Sequence, residues 1–590
     1  MNIARKIWGL MEGSRRLYAL GLVFVALAAG VNMLVPLIIR YIVDTLLDGQ
    51  PADLPGFVLG AINRIGGEAW LRGNLWLPGL AIVMVFVVQG FFLYLRSRFV
   101  MAAAEDTTKT LRDRLYNHIQ RLPYSYHIKA QTGDLVQRCT TDVNHVRNFL
   151  AGRVTELVIM VFFLGFAIVF MLSLDITLTF ISISMVPVII GFSSMFYRDV
   201  TKIYKEWDEK EAELHTVLQE NLSGVRVVRA FGREAYEIQK FEAKNTELHD
   251  ITILLNNKLA FFWSVSNGVS LLQYGIVVVA AIHLNYTGQV SVGTFMAFIT
   301  YINIFLWPIR NLGRILADAG QTRVSIERLE EVFNAAQEED GSIATPSLRG
   351  DIVFDDVRFG FGGMEVLRGI SFCVKSGQTA GILGATGSGK STLMHLLVRL
   401  YEPQAGSITI GGVPINTISK YWLRSKIGIV LQETFLYSKT IFENLKMAKQ
   451  QLASGEAERA AKIANVHRDI KRFDKRYNTI VGEKGVTLSG GQKQRVSIAR
   501  TIIKESEILI FDDSLSAVDS ETDLQIRQAL KQRRAGVTTF IISQRITTLM
   551  DADVILVLEN GRLADRGSHE ELITREGLYS KIWEINNQGI

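Results

Sequence analysis

Cysteine is nearly absent: Cys139 and Cys373 are the only two in a chain of 590 residues. They lie far apart and outside any metal-ligand spacing, which argues against a disulfide framework and against a zinc site. A dense basic tract is also missing, so the formal net charge of +6 is assigned to Lys and Arg flanking membrane segments, and no nucleic-acid partner is expected. Low-complexity tracts and short internal repeats are lacking as well. What the chain does have is length and apolar content. At 590 residues it exceeds one compact core, so two or more domains are expected. Hydrophobic residues reach 48% and mean hydropathy +0.20, high for a soluble enzyme, while 21% charged residues are more than a fully embedded chain needs. A part-membrane, part-soluble chain satisfies both.

Arg5, Lys6, Arg15 and Arg16 precede an apolar run over 17–39, the arrangement of a signal peptide. The run is long enough to cross ~30 Å of hydrocarbon and has no small-residue cleavage pattern behind it, so a retained anchor is expected. Similar runs follow at 76–95, 154–172, 176–196, 259–284 and 292–316, giving six proposed spans. Six in succession are rare among buried helices of soluble folds. The N-terminal cluster together with Arg96, Arg98, Arg112 and Arg114 places those flanks, and both chain ends, in the cytoplasm. Segments 47–74 and 285–289 then face outward, too short for a receptor domain.

Between spans two and three, and between four and five, the chain is charged and helix-prone, as over 202–218. These stretches are read as membrane helices prolonged into the cytoplasm and reversed by short turns, against the bland alternative of solvated helices. Within the spans, Gln89, Asn267, Gln273, Tyr301, Asn303 and Trp307 are assigned to helix packing or interfacial anchoring, and Arg310 and Arg314 to snorkelling or pairing near the cytoplasmic end. The segment 337–350, with Glu338, Glu339, Asp340, Gly341, Pro346 and Gly350, reads as a linker. Beyond it, β-branched runs alternate with helical patterns, as in an α/β domain with a largely parallel sheet. The expected domains are 1–336, membrane-spanning and all-α, and 351–590, α/β.

Gly384, Ala385, Thr386, Gly387, Ser388, Gly389, Lys390, Ser391 and Thr392 fit the phosphate-loop pattern, between a strand-like 379–383 and a helix-like 393–400. Glycines let backbone N–H groups turn toward phosphates, a helix N-terminus adds positive potential, Lys390 neutralises the β and γ phosphates, and Ser391 can ligate Mg²⁺. Farther on, 508–513 reads as a buried parallel strand ending in Asp512 and Asp513, where ligands bind in open α/β sheets. Asp512 is placed to hold Mg²⁺, directly or through water. Alone, such carboxylates could merely cap a turn.

The run Leu488, Ser489, Gly490, Gly491, Gln492 resembles the signature motif of ABC ATPases. A Gly-rich pentapeptide alone is weak evidence. It stands here in order with the phosphate loop, Gln432 resembling a glutamine loop that meets nucleotide and metal, the strand at Asp512, and Ser516, Ala517, Val518 and Asp519 resembling the D-loop. Six spans followed by this ATPase resemble the half-transporters of bacterial multidrug and lipid exporters, over the whole chain. The resemblance implies ATP and Mg²⁺ as ligands, an adenine-stacking role for Phe361 where a tyrosine is usual, and a multi-pass location in a bacterial inner or plasma membrane with the nucleotide-binding domain in the cytoplasm. It also implies that Leu122 and Pro123 through Thr132, Gly133, Asp134, Arg138 and Asp142, and then 224–234, form coupling helices, with Glu483 in contact with them.

Two positions depart from the family pattern. Asp513 stands where Glu is usual for orienting the attacking water, and Gln544, between Ser543 and Arg545, where His is usual. One methylene fewer withdraws the carboxylate, and an amide does not ionise as imidazole does. Binding is expected to survive while hydrolysis falters. Family sites combine the phosphate loop of one chain with the signature of another. The intact signature therefore suggests a homologous half-transporter carrying the usual Glu and His as partner, in a heterodimer that exports a drug-like compound, lipid or peptide through the bilayer. An ATP-gated channel, a regulatory membrane subunit and a slow homodimeric exporter are the alternatives. An importer is disfavoured by the domain order, and no peptidase domain is expected before the first span.

Overall fold

The computed structural model describes residues 3–51, 56–340, 344–482, 485, 487–514, 520–533 and 536–587. Contacts divide the chain into two compact units, Met1–Arg121 with Ala130–Ala336 and Leu122–Lys129 with Gln337–Ile590.

The first unit is helical. Six stretches are long and apolar enough to cross a membrane: Arg15–Leu47, Trp76–Gln120, Thr132–Leu174, Ile176–Ala230, Glu234–Tyr286 and Val292–Asn334. Their principal helices are α1 (Arg15–Asn32), α2 (Trp76–Gln120), α3 (Val154–Leu174), α4 (Val186–Ala230), α5 (Glu234–Tyr286) and α6 (Val292–Asn334). Apolar side chains all round suit helices whose outer faces meet lipid, where each backbone polar group must be satisfied within the helix. Where a helix breaks, a polar side chain covers the gap. The first stretch breaks at Met33, whose carbonyl accepts a 3.1 Å hydrogen bond from Tyr301 Oη. The fourth breaks at Ser184 and Met185. There Gln273, fully buried, donates through Nε2 to the carbonyls of Ile181 (3.1 Å) and Ser182 (2.5 Å) and accepts from Met185 N at 3.0 Å through Oε1. Gln273 and Tyr301 therefore serve helix packing.

The first stretch runs beyond the expected 39 to Leu47 through helix Leu34–Tyr41 and a π-helical Ile42–Leu47. The expected outward loop holds two short helices, Gly56–Ile65 and Gly67–Gly73. The charged prolongations are continuous with the spans: α2 and α4 each have 45 residues and α5 has 53. Between α4 and α5 the reversal takes three residues, Phe231 to Arg233. Lys210 and Lys244 cross to Glu247 and Glu213 at 2.7 and 2.8 Å, binding the two charged halves together. Asp134 and Asp142, on the segment assigned above to a coupling turn, also meet α6: Asp134 accepts from Arg328 at 2.8 Å and Asp142 from Ser325 at 2.9 Å.

The second unit contains two sheets. Strands β1 (Ile352–Phe361), β2 (Met364–Val374), β3 (Thr379–Gly384), β4 (Ala405–Ile410), β5 (Val413–Pro414), β6 (Ile427–Val430), β7 (Ile508–Asp512), β8 (Thr538–Ile542), β9 (Val554–Glu559) and β10 (Arg562–Gly567) arrange as β2-β1-β4-β5 and β10-β9-β3-β8-β7-β6. In the larger sheet every pair is parallel except β10 with β9. All five residues of β7 are buried, as a strand covered on both faces requires. Phe511 and Phe540 lie on opposite sides of that sheet, each in one of the two principal cores. Truncating either to Ala costs about 3–5 kcal/mol. The smaller, antiparallel sheet is an addition to the single parallel sheet expected from the sequence.

The segment after α6 is anchored. Glu338 takes a fork of two 2.7 Å hydrogen bonds from Arg424, and Asp340 accepts from Ser419 Oγ at 2.7 Å and Lys420 N at 2.8 Å.

Candidate functional site

Four neighbouring parallel strands, β3, β8, β7 and β6, end at one edge of the sheet, the place where open α/β sheets receive ligands. Each delivers a residue singled out in the sequence: the phosphate loop follows β3, Gln544 follows β8, Asp512 and Asp513 close β7, and Gln432 follows β6.

The loop turns through two left-handed glycines, Gly387 (φ 83°) and Gly389 (φ 97°), before helix α7 (Lys390–Leu397). A Cβ at Gly389 would come within 2.5 Å of Leu367 Cδ2, which would have to shift, and the positive φ strains any side chain there whatever the space. Lys390 is buried and folds back, its Nζ donating to the carbonyls of Gly384 and Ala385 at 2.8 Å each. Burial pulls its ammonium below the ordinary lysine range, and the carboxylates of Asp513 and Asp512 work against that shift. Ser391 Oγ donates to Asp512 Oδ1 at 2.9 Å, which sets a hydroxyl and a carboxylate side by side. Burial pushes the Asp512 carboxyl up while the Ser391 hydrogen bond draws it down.

These residues fit a nucleoside triphosphate with Mg²⁺. Ser388 Oγ is buried without a hydrogen-bond partner, an orphaned donor inside the loop. Lys390 donors now occupied by loop carbonyls are available to phosphate oxygens, and Ser391 with Asp512 offers the hard oxygens Mg²⁺ takes. Thr392 lies in the first turn of α7, while Ala385 and Thr386 are exposed at the loop's tip.

Gln544 Nε2 donates to Thr386 Oγ1 at 3.3 Å, which brings it to the phosphate loop. Asp513 adopts φ 44°, in the left-handed region, with its N–H donating to Ile542 O at 3.0 Å. Aspartate tolerates this region better than most residues because its short side chain bonds locally. Gln432 is exposed, with no hydrogen bond to the loop among the described residues.

The signature forms the start of another helix, α8 (Gly490–Ile503). Ser489 caps it, with Gln492 returning the bond in a capping box, while Gly490 is exposed and Gly491 half-buried. Among the described residues no hydrogen bond joins this segment to the phosphate loop. Glu483 and the D-loop-like 516–519 lie outside the described residues.

Phe361 is 46% exposed and meets Tyr401 edge-on at 5.2 Å between ring centroids. Tyr401 was not singled out in the sequence. It also meets Tyr124 (5.5 Å), on the short helix Tyr124–Lys129, and Tyr124 meets His395 of α7 (5.9 Å). The alternation of Phe359 and Phe361 along β1 marks an aromatic face, but nothing local in the sequence ties it to Tyr124 or Tyr401.

Two family profiles match the chain: ABC transporter transmembrane region over residues 18–309 and ABC transporter over residues 367–516. The chain is 33% identical to the uncharacterized ABC transporter ATP-binding protein YknU of Bacillus subtilis (strain 168), over 98% of this chain and 96% of that one. It is 30% identical to the ATP-dependent lipid A-core flippase of Syntrophus aciditrophicus (strain SB), over 86% and 85% of the two chains. A solved structure of a bacterial Atm1-family ABC exporter with ATP bound superposes with a TM-score of 0.80 at 26% identity, covering 98% of this chain and 99% of that one. Membrane-length helices joined to a nucleotide-binding sheet define an ATP-driven transporter. The chain belongs to the ABC transporter family and has its exporter fold, a multi-pass membrane protein with a cytoplasmic nucleotide-binding domain using ATP and Mg²⁺.

Proposed function

We propose that this chain is the degenerate-site subunit of a heterodimeric exporter. The observation that carries the reading is the pairing of an intact phosphate loop and signature with two altered catalytic positions, Asp513 and Gln544. Lys390, Ser391, Thr392 and the backbone of Gly384 to Gly389 hold the triphosphate, and Ser391, Gln432 and Asp512 serve Mg²⁺. Phe361 stacks on the adenine. Asp513 takes the position of the water-orienting carboxylate with a shorter reach, and Gln544 binds phosphate without an ionisable ring.

Ser489, Gly490, Gly491 and Gln492 complete the site of a partner half-transporter that carries Glu and His. The capped, outward start of α8 supports this, since it spends no hydrogen bond on the chain's own phosphate loop. Closure of the two nucleotide domains on ATP then switches the membrane cavity from inward to outward facing. Residues 1–336 form the transmembrane domain, 337–350 the connection and 351–590 the nucleotide-binding domain. The transported compound belongs to the drug-like, lipid or peptide classes, of which the name of the lipid A-core flippase supports the lipid.

The test is ATPase activity of the purified chain, measured alone and again with candidate partner half-transporters. The reading expects slow turnover alone and a large rise with the right partner. Brisk turnover by a homodimer that also moves a solute overturns it.

A further inference from the structure

Phe361 and the phosphate loop belong to different sheets: Phe361 ends β1 of the smaller one, and the loop follows β3 of the larger. A nucleotide that spans both needs ring and loop at a fixed separation. The ring starts at a disadvantage, since it is 46% exposed and is followed by the left-handed Gly362 and Gly363 (φ 55° and 87°). Ordering such a side chain at each binding event costs affinity unless its neighbours hold it in advance.

Those neighbours come from the turn between α7 and β4. Helix α7 begins at Lys390 of the phosphate loop, and the chain leaves it through Arg399 at φ 53°, with Leu400 N donating to His395 O at 2.9 Å. The buried Arg399 guanidinium fixes the turn by donating to Ile418 O at 2.6 Å and to Glu402 Oε1 at 2.9 Å. From this turn Gln404 grips the end of β1, its N–H donating to Arg358 O at 2.9 Å and its Nε2 to Gly360 O at 3.1 Å. Tyr401 adds the ring contacts. Its centroid lies 5.2 Å from that of Phe361 with 79° between the planes, and 5.3 Å from that of Phe359, which itself meets Phe361 at 4.9 Å and 89°. Tyr401 also meets Tyr124 at 5.5 Å and His395 of α7 at 6.2 Å. Edge-to-face pairs are favoured by the ring quadrupoles, so these contacts specify an angle as well as fill a volume.

We infer that Tyr401 is a positioning residue for the nucleotide base: it holds the Phe361 ring at the angle at which adenine stacks, and α7 sets the distance from that ring to the phosphate loop. The inference rests on the stacking role proposed for Phe361 and adds a residue that acts through it without touching the nucleotide. It needs neither the asymmetry of the ATP sites nor the partner chain, because every residue in it belongs to one compact unit. An aliphatic side chain at 401 would fill part of the same space but leave the orientation of Phe361 unspecified.

The experiment compares two ligands by calorimetric titration of the full chain in phosphatidylcholine nanodiscs: Mg²⁺-ATP, and Mg²⁺-tripolyphosphate, which has the phosphates and no base. Phe361→Leu is expected to weaken ATP binding about tenfold and leave tripolyphosphate binding unchanged. Tyr401→Leu is expected to weaken ATP binding about fivefold, again with tripolyphosphate unchanged, while Tyr401→Phe, which keeps the ring, binds both ligands as wild type does. Because Tyr401 acts through Phe361, the double variant Phe361→Leu, Tyr401→Leu is expected to bind ATP no more weakly than Phe361→Leu alone. Equal weakening of ATP and tripolyphosphate by Tyr401→Leu overturns the inference, since it makes Tyr401 a support of the fold only. Fully additive losses in the double variant overturn it too, since they put Tyr401 against the base itself. Should Phe361→Leu cost ATP affinity and Tyr401→Leu cost none, the inference falls alone; should Phe361→Leu cost none, the stacking reading beneath it falls as well.

Discussion

Gln544 Nε2 reaches Thr386 Oγ1 at 3.3 Å, so the residue that replaces the family's usual imidazole still touches the phosphate loop. The contact is made with an amide, which donates and accepts hydrogen bonds but does not change charge near neutral pH. Asp513, proposed above as the water-orienting carboxylate, adopts a left-handed backbone conformation, φ 44°. On the reading proposed above, such a site would retain its grip on nucleotide while losing reach toward water.

The two altered positions are expected to limit turnover together. Asp513→Glu combined with Gln544→His should raise the ATPase rate of the purified chain by about tenfold to a hundredfold, the scale associated with repositioning a catalytic group by about 1 Å. Each single change should recover less. Steady-state phosphate release checks this, with nucleotide affinity as the control that should stay near its starting value.

Unequal sites give unequal mutants. In the complex with its partner, Gly491→Asp should reduce ATPase activity on the order of a hundredfold, since it damages the signature that completes the competent site. Lys390→Ala should leave the larger part of it, since it damages only the degenerate one. Equal losses in the two variants count against the asymmetric assignment.

The Ser391 to Asp512 contact of 2.9 Å defines where Mg²⁺ support is expected. Asp512→Asn should weaken Mg²⁺-dependent ATP binding by about tenfold, the effect of losing one charge-assisted contact, while metal-free binding of ATP changes little. Titration of labelled nucleotide with and without EDTA separates the two.

Tyr124 sits edge-on to both His395 and Tyr401, with centroid separations of 5.9 and 5.5 Å. Each such pair is worth about 0.5–1.5 kcal/mol beyond burial. Tyr124→Ala should therefore loosen the short helix from the nucleotide-binding unit. ATPase activity is expected to persist while solute moved per ATP falls several-fold, in a paired flux and phosphate measurement.

Glu338 provides a pH signature. Burial would raise its carboxyl, but the Arg424 fork and nearby Lys420 outweigh burial and hold it below the usual glutamate value. A depressed folded-state value means that its stabilisation is full above the unfolded value and disappears as pH falls through the folded one. Glu338→Gln should lower stability by about 1 kcal/mol at neutral pH, after allowance for partial exposure, and should show less additional loss on acidification. Thermal unfolding of the two proteins from pH 7 down to pH 4 measures the difference.

Much of the architecture was legible because its signals are local. Six apolar runs of membrane length announced α1 to α6, and the phosphate loop between a strand and a helix announced β3 and α7. The strand ending in Asp512 was equally plain, since burial on both faces demands a continuous apolar run. Less legible were the antiparallel sheet of β1, β2, β4 and β5 and the anchoring of Glu338 by Arg424. The latter pair is separated by 86 positions, and a polar, breaker-rich stretch looks the same whether slack or tethered. Asp134 and Asp142 find partners on α6 that lie beyond any spacing rule.

By itself the sequence determined which chemistry is available: phosphate binding, hard-oxygen ligands for Mg²⁺, an aspartate and an amide at the two positions proposed as catalytic, and enough apolar length for six membrane passages. Hydrogen-bonding capacity, charge and helix length are properties of residues and short windows, so they survive without three dimensions. Tertiary structure alone decided which groups are satisfied and which are not. Gln273 proved to close a helix break and Arg153 to be spent on Glu156 and Asp318, because satisfaction of a polar group depends on neighbours that chain folding brings from distant positions.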